Sequence, residues 1–589
     1  MSNPKVSGKV FDSSLLKRLF SYVKPYRFRF LQALALTLLV ALSAPLRPLL
    51  VQTALDVYIA VRDAEGLKIV VLLILALLFF QAIIMYGNTY LTNWLGQSII
   101  RDIRKQVFEH IMHLRLKYFD RTPIGMLQTR TINDVEVLND VFTSGLVRIL
   151  GELLQLFAIL GFMLWLNWKL TLAVLTTLPL MVLATYVFKN KVKVAFTRVR
   201  EAVSDMNAFL QEHLTGMQIV HIFNREEIEM DKYKEVNGKL RKANVNSVLY
   251  YAIYFPVMEI IIALSLGVLV WFGAGNVVAG EVRIGELVAF IMYTQMFFRP
   301  LRQLADQFNM LQLGMVSAER IFKVLDTQEV IEDQGKRESL PGSEKEINIA
   351  FEDVTFAYIE EDWVLQNINF EVKAGEKVAL VGSTGSCKST IINLLSRFYE
   401  IQKGSIKING LDIKEYTLSY LRSLTGVVLQ DVFLFSGSIY HNITLNSDEI
   451  PLERVIEAAK RVGAHDFISQ LPGGYEYEVQ ERGATLSLGQ RQLIAFARVM
   501  VYDPNILVMD EATANIDTES EEIIQHAVDT VMAGRTSIII AHRLSTIQKA
   551  DKIIVLSSGR IIEAGTHEEL LKEEGAYHEL HQMQFGEVV

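Results

Sequence analysis

Apolar stretches long enough to cross a lipid bilayer crowd into the first half of this 589-residue chain and disappear after about Leu340. A helix needs about 20 such residues to span the hydrocarbon core, where each backbone N–H and C=O must be paired internally because no water is present. Runs of this kind lie near Phe28–Val57, Leu67–Leu95, Phe142–Leu166, Leu170–Phe188, Val248–Val278 and Ile284–Leu304. Several exceed the length that crossing requires and are expected to continue into the cytoplasm as helices. Beyond Leu340 the apolar runs shorten to those of an α/β domain.

The flanking charges orient the spans. Lys17, Arg18, Lys24, Arg27 and Arg29 precede the first run. The segments after the second and fourth are long and basic, with Arg101, Arg104, Lys105, Arg115 and Lys117 in one and Lys189, Lys191, Lys193, Arg198 and Arg200 in the other. Basic residues near spans stay in the cytoplasm, so both termini are expected there, which requires an even number of crossings. Six fits. The polar segment Met1–Ser13 shows no secretory signal pattern. A mean hydropathy of +0.26 agrees with a membrane protein. The net charge of −8 argues against a nucleic-acid partner, and a single cysteine excludes an intrachain disulfide.

In the second half, the buried-strand pattern Val378-Ala-Leu-Val381 runs into Gly382-Ser-Thr-Gly-Ser-Cys387-Lys388-Ser389-Thr390 and then a helical run. This is the strand–loop–helix setting of a phosphate-binding loop, in which backbone N–H groups and the helix N-terminus cradle phosphate oxygens. The candidate cradle is Gly382, Ser383, Thr384, Gly385, Ser386, Cys387 and Thr390. Lys388 is expected to reach the β- and γ-phosphates of ATP, and Ser389 to ligate Mg²⁺. Glycine is usual where Cys387 stands, and a Cβ there is expected to crowd the phosphates or shift the loop. A tolerated natural substitution is one reading. As the chain's single cysteine, the residue reads rather as a deliberate replacement that disables or labels the site. A second apolar run, Ile506-Leu-Val-Met509, ends in Asp510-Glu511. Asp510 is expected to hold Mg²⁺ and Glu511 to polarise the attacking water.

Taken in order, these motifs resemble the ATPase cassette of ABC transporters. The resemblance implies that Tyr358 stacks on adenine, that Gln430 is the Q-loop glutamine contacting Mg²⁺, and that His542 is the switch histidine at the γ-phosphate. Leu486-Ser487-Leu488-Gly489-Gln490 resembles the family signature LSGGQ, with leucine at its first glycine. Ser487, Gly489 and Gln490 are thereby assigned to the nucleotide bound by a second cassette. Asp517 resembles the D-loop aspartate, and Glu478-Val-Gln480-Glu481-Arg482-Gly483 the exporter X-loop, with Gln480 where glycine is common. In the first half, Tyr118-Phe-Asp-Arg-Thr122-Pro123-Ile-Gly125 and Glu212–Glu226 resemble the segments around the two coupling helices of six-span exporters.

The expected architecture is multidomain, an all-α six-helix transmembrane domain fused to an α/β P-loop ATPase cassette. An N-terminal elbow occupies 1–27, the transmembrane domain 28–315, a linker 316–346 and the cassette 347–589. The change to charged, Gly- and Pro-containing sequence starts near Asn309. The resemblance implies a dimer of half-transporters, because the signature of one cassette completes the site of the other. A homodimer is favoured over a heterodimer. Location in the bacterial inner membrane, among lipids, is expected. The abundance of Phe, Met and Tyr, notably Met292, Tyr293, Met296, Phe297 and Phe298, suits a flexible lining for hydrophobic or amphipathic cargo, and equally residues that face lipid or pack between helices. Glu152 and Glu259 lie within spans, where a carboxylate usually faces a cavity or a partner; Arg148 is one turn from Glu152. An ATP-gated channel or a regulator of another membrane protein is the alternative with the same architecture.

Overall fold

A computed structural model describes the chain except residues 1–12, 332, 334, 342–345, 384, 386, 511–517, 542 and 586–589. Residues 13, 144–147, 301–309, 518–520, 584 and 585 are described by their backbone alone. Contacts divide the chain into two compact units, Met1–Met112 with Ile124–Thr327, and His113–Pro123 with Gln328–Val589.

Among the described residues, the regular structure of the first unit is all helical. Among the described residues, five helical stretches are long and apolar enough to cross a membrane: Lys24–Ile59, Ala64–Met112, Ile124–Leu166, Trp168–Thr215 and Glu226–Val278. Lengths of 49 residues for Ala64–Met112 and 53 for Glu226–Val278 carry these helices well past a bilayer's thickness. Large side chains such as Leu72, Phe79 and Ile83 stand exposed along Ala64–Met112, an arrangement suited to lipid and costly in water. The sixth expected span is helical over Ile284–Leu325 but is not among those apolar enough. Its apolar start is interrupted by Gln295, Arg299 and Pro300. It packs inward, with Phe290, Tyr293 and Phe298 fully buried against Met258, Ile261 and Leu269 of Glu226–Val278. A helix enclosed by neighbours needs less apolar sequence than one bathed in lipid.

Two expectations change here. Tyr293, Phe297 and Phe298 are packed between helices rather than lining open space, and Tyr293 donates its hydroxyl proton to the Pro45 carbonyl at 2.7 Å. The charged sequence after Asn309 also continues the helix to Leu325, so the linker begins later than composition suggests. Its charges are spaced as on a solvated helix face. Arg148 Nε donates to Glu152 Oε1 at 2.9 Å, so that carboxylate has its partner one turn away. Glu259 is exposed and lines an open recess of about 570 Å³ with Phe255, Pro256, Ile260 and Ala263.

The second unit is built on a six-stranded sheet in the order Arg560–Gly565, Lys552–Ser557, Lys377–Val381, Thr536–Ile540, Ile506–Asp510 and Thr425–Val428. Every pairing is parallel except the outer hairpin of Lys552–Ser557 with Arg560–Gly565. The central strands are apolar without interruption because both faces are covered. Val378, Leu380, Val508 and Ile538 join one core, with the helix Lys388–Leu395 and an antiparallel sheet of Leu365–Val372, Ile349–Phe356, Lys403–Ile408 and Leu411–Asp412. Ala379, Val381, Leu507 and Ile539 join the other, with Leu452–Arg461 and Leu488–Tyr502. Strand periodicity of two sorts alternate residues into the two cores.

Candidate functional site

Parallel pairing sets the C-terminal ends of four strands along one edge of the sheet. Ile540 lies beside both Leu380 and Asp510, and Val428 beside Met509. The phosphate loop leaves the strand ending at Val381, Asp510 closes its own strand, and Gln430 follows Val428 by two residues. Open α/β sheets bind ligands at this edge because helix N-termini and loops converge there.

Ser389 Oγ donates to Asp510 Oδ2 at 3.0 Å, which joins the two metal-binding expectations in one place. Both are hard oxygen donors suited to Mg²⁺, which takes one or two protein oxygens and keeps its remaining positions for water and phosphate. Lys388 is only 7% exposed, and its Nζ donates to the carbonyls of Gly382 at 2.8 Å and Ser383 at 3.2 Å. Burial pulls its pKa below the usual lysine value, with Asp510 pulling back toward the charged form. An ammonium held against loop carbonyls in an apolar setting is poised for an anion. Gln430 is exposed, and among the described residues no hydrogen bond joins it to Ser389 or Asp510.

The loop shows why glycine is the usual residue at position 387. Cys387 caps the helix Lys388–Leu395 with φ +65° and ψ +27°, the left-handed region that costs an L-residue about 1–2 kcal/mol. Gly385 takes φ +87° at no such cost, with open space around it. The Cys387 thiol donates to the Gly385 carbonyl at 3.2 Å, folding back across the loop. Burial raises its pKa above the usual thiol value.

Tyr358 shares a 3.1 Å hydrogen bond with Thr390 Oγ1 and accepts one from Asn393 Nδ2 at 3.4 Å. Its ring meets those of Phe356 and Tyr399 edge to face, with centroids 4.8 and 5.0 Å away. At the signature, Ser487 caps the helix Leu488–Tyr502. Its Oγ accepts the Gln490 N–H at 3.2 Å, and Gln490 Oε1 accepts the Ser487 N–H at 3.0 Å, a closed capping box. Gly489 is buried behind it. Glu511, His542, Asp517, Thr384 and Ser386 lie outside the described residues.

Residues 30–301 match the family described as ABC transporter transmembrane region, and residues 365–514 the family described as ABC transporter. The chain belongs to the ABC transporter family. It is 39% identical over 590 residues to an uncharacterized ABC transporter ATP-binding protein of Bacillus subtilis, YknV, covering 100% of this chain and 97% of that one. A probable multidrug resistance ABC transporter ATP-binding/permease protein of the same organism, YheH, shares 38%, covering 89% of this chain and 78% of the relative. An ATP-dependent lipid A-core flippase of Desulfotalea psychrophila shares 35%, covering 97% and 100%. This transporter chain is of the exporter type, an integral membrane protein whose helical membrane region is fused to an ATP-binding cassette.

Sequence reasoning overlooked three of the side chains around Tyr358. Asn393 and Tyr399 come from the phosphate-loop helix and the turn beyond it, and Phe356 precedes Tyr358 by two residues. An aromatic closing the strand Ile349–Phe356 and another two residues on, at Tyr358, are the available signal. Nothing local marks Tyr399.

Proposed function

We propose that the chain couples ATP hydrolysis to the export, or leaflet flipping, of hydrophobic or amphipathic small molecules by alternating access, working as a dimer of half-transporters. The observation that carries this reading is the juxtaposition of Ser389 with Asp510 beside the buried Lys388, on a cassette fused to apolar helices. Relatives at this similarity include a probable multidrug resistance transporter and a lipid A-core flippase.

Lys388 leaves the Gly382 and Ser383 carbonyls for the β- and γ-phosphates, and the loop's N–H groups take the remaining oxygens. Ser389 and Asp510, with Gln430, hold Mg²⁺, which when bound neutralises charge on the phosphates. Tyr358 receives the adenine. Glu511 polarises the attacking water, and His542 contacts the γ-phosphate. Ser487, Gly489 and Gln490 of one chain, with Asp517, complete the site of its partner.

A second chain is also suggested by the short helix Met217–Ile222. It follows a basic, cytoplasm-facing stretch and leaves Ile219, Ile222 and the adjoining Phe223 at least 60% exposed. Apolar groups in water call for a protein cover. An identical chain suffices, because this one supplies the consensus groups at every other catalytic position, Cys387 being the exception. ATP that binds the closed cassette pair more tightly than the separated one biases the membrane helices outward. Residence in the bacterial cell membrane with both termini cytoplasmic, six crossings including Ile284–Leu325, and Glu259 facing the internal cavity complete the reading.

The test is ATP turnover of the full-length Cys387→Gly chain in lipid nanodiscs, against lipids, peptides and cationic drugs. Stimulation by at least one amphipathic compound, with ATP-dependent flux of that compound in proteoliposomes, is expected. An ATP-gated conductance without flux would favour the channel reading instead.

A further inference from the structure

The helices Leu178–Thr215 and Glu226–Val278 run side by side in the membrane unit, Phe188 meeting Tyr254 and Phe196 meeting Tyr251. Between them the surface is hollowed into a groove of about 510 Å³. Its floor is the stacked pair Phe188 and Tyr254, with ring centroids 3.9 Å apart, and the Tyr254 hydroxyl is shared with Thr185 Oγ1 at 3.3 Å. Its walls are apolar, and Leu183, Val187 and Ile253 are each at least 50% exposed there. On the first helix the lining runs from Leu180 to Lys191. Over that stretch the helix rises about 16 Å, close to the roughly 15 Å of hydrocarbon in one leaflet.

The two ends of the groove differ in charge. Lys191 is exposed at one of them, with Lys189 and Lys193 exposed on either side of it in sequence. No aspartate or glutamate occurs in 170–200, nor in 236–258 of the facing helix, so neither stretch neutralises these lysines. A lysine stem lies along apolar surface while its ammonium reaches headgroup level. Tyr250 of the facing helix also lines the groove, and tyrosine favours the membrane–water interface. Basic pockets between membrane helices take anionic headgroups, and the apolar trough beyond Lys191 has the length of a lipid tail's leaflet. An identical chain packed on the same patch about a two-fold axis would instead set Lys191 against Lys191.

We propose that this groove binds a glycerophospholipid with an anionic headgroup from the cytoplasmic leaflet, its acyl chain along Val187 and Ile253 and its phosphate at Lys191. Lys191 selects the headgroup, and the stacked floor of Phe188 and Tyr254 holds the tail. The choice of leaflet rests on the reading that the basic stretch after this span is cytoplasmic. The site itself requires neither that reading nor any particular cargo.

The test is a titration of the full-length chain in detergent micelles with dioleoyl phosphatidylglycerol and with dioleoyl phosphatidylcholine, read by native mass spectrometry. Phosphatidylglycerol is expected to bind about fivefold more tightly. Lys191→Gln should erase that preference, whereas Lys189→Gln, outside the groove lining, should leave most of it. Val187→Trp fills the trough and should weaken both lipids by about tenfold. No preference in the parent, a preference that survives Lys191→Gln, or one that falls equally in Lys189→Gln overturns the proposal; the last would mean diffuse charge instead of a built site. Unchanged lipid binding in Val187→Trp overturns it as well, and if paired chains come apart in that variant the groove belongs to a second copy. None of these readouts uses ATP, and micelles expose both ends of the chain. Failure of the export reading or of the orientation therefore leaves the result intact.

Discussion

Along the cassette strand Lys377–Val381, Val378 and Leu380 enter one core while Ala379 and Val381 enter another, and all four are buried within a single chain. Along Ala64–Met112, Leu72, Phe79 and Ile83 are as apolar but stand exposed. Burial in the cassette is fixed by the chain's own sheet, so polar motif residues at strand ends fall into register with one another. In the membrane unit apolarity reports the solvent, and only a subset of apolar residues reports helix packing. Cassette motifs therefore point to particular atoms. Membrane composition points to an environment and says little about cargo.

The sharpest test of that contrast lies inside the membrane unit. Phe298→Ala is expected to cost about 3 kcal/mol, since the ring is fully buried and leaves a cavity. Phe79→Ala, at 71% exposure, should change stability by less than about 0.5 kcal/mol. Thermal unfolding of both variants in one lipid composition measures the difference. Equal costs would mean that exposure in one chain does not predict lipid contact, and that a partner covers Phe79.

Within the cassette the expected effects are smaller and more local. Cys387→Gly removes a Cβ from the loop proposed to cradle the phosphates, and with it a left-handed strain of about 1 kcal/mol, and ATP affinity should tighten about tenfold. Titration of Mg-ATP binding in the two chains checks this. Equal affinity, with both chains closing fully, would show that the loop accommodates the thiol. Because burial holds that thiol's pKa above the usual cysteine value, its thiolate fraction and alkylation rate should still be climbing at mildly alkaline pH. Bound ATP should slow the labelling. The smallest effect is expected at the signature, where Ser487→Ala opens the capping box and should cost about 1 kcal/mol of cassette stability in denaturant titration.

The same contrast explains what was legible in the sequence. The strand, loop and helix of the phosphate site follow in direct succession from Val378 to Leu395, so local pattern sufficed to place Lys388 and Ser389. Asp510 was equally readable as the end of an apolar run, and parallel pairing brings it to Ser389 across 121 residues. The Tyr399 hydroxyl donates to the Asp120 carboxylate across 279 residues, and neither carries a pattern that announces the other. The helix to Leu325 was hidden by charge, because a solvated helix face and a linker have similar composition. For Tyr293, Phe297 and Phe298 the sequence fits a lining and a packed face equally, because hydrophobicity alone does not distinguish the two, and the structure packs them.

The claim that hydrolysis takes place at this edge of the sheet rests on a carboxylate at Glu511 acting on water and not on the nucleotide. The direct measurement is ATP binding and turnover of Glu511→Gln in the Cys387→Gly background, in lipid nanodiscs. Turnover is expected to fall by a factor of about 10² or more while ATP binds as in the parent. Near-normal hydrolysis in that variant would contradict the account and move the catalytic carboxylate elsewhere.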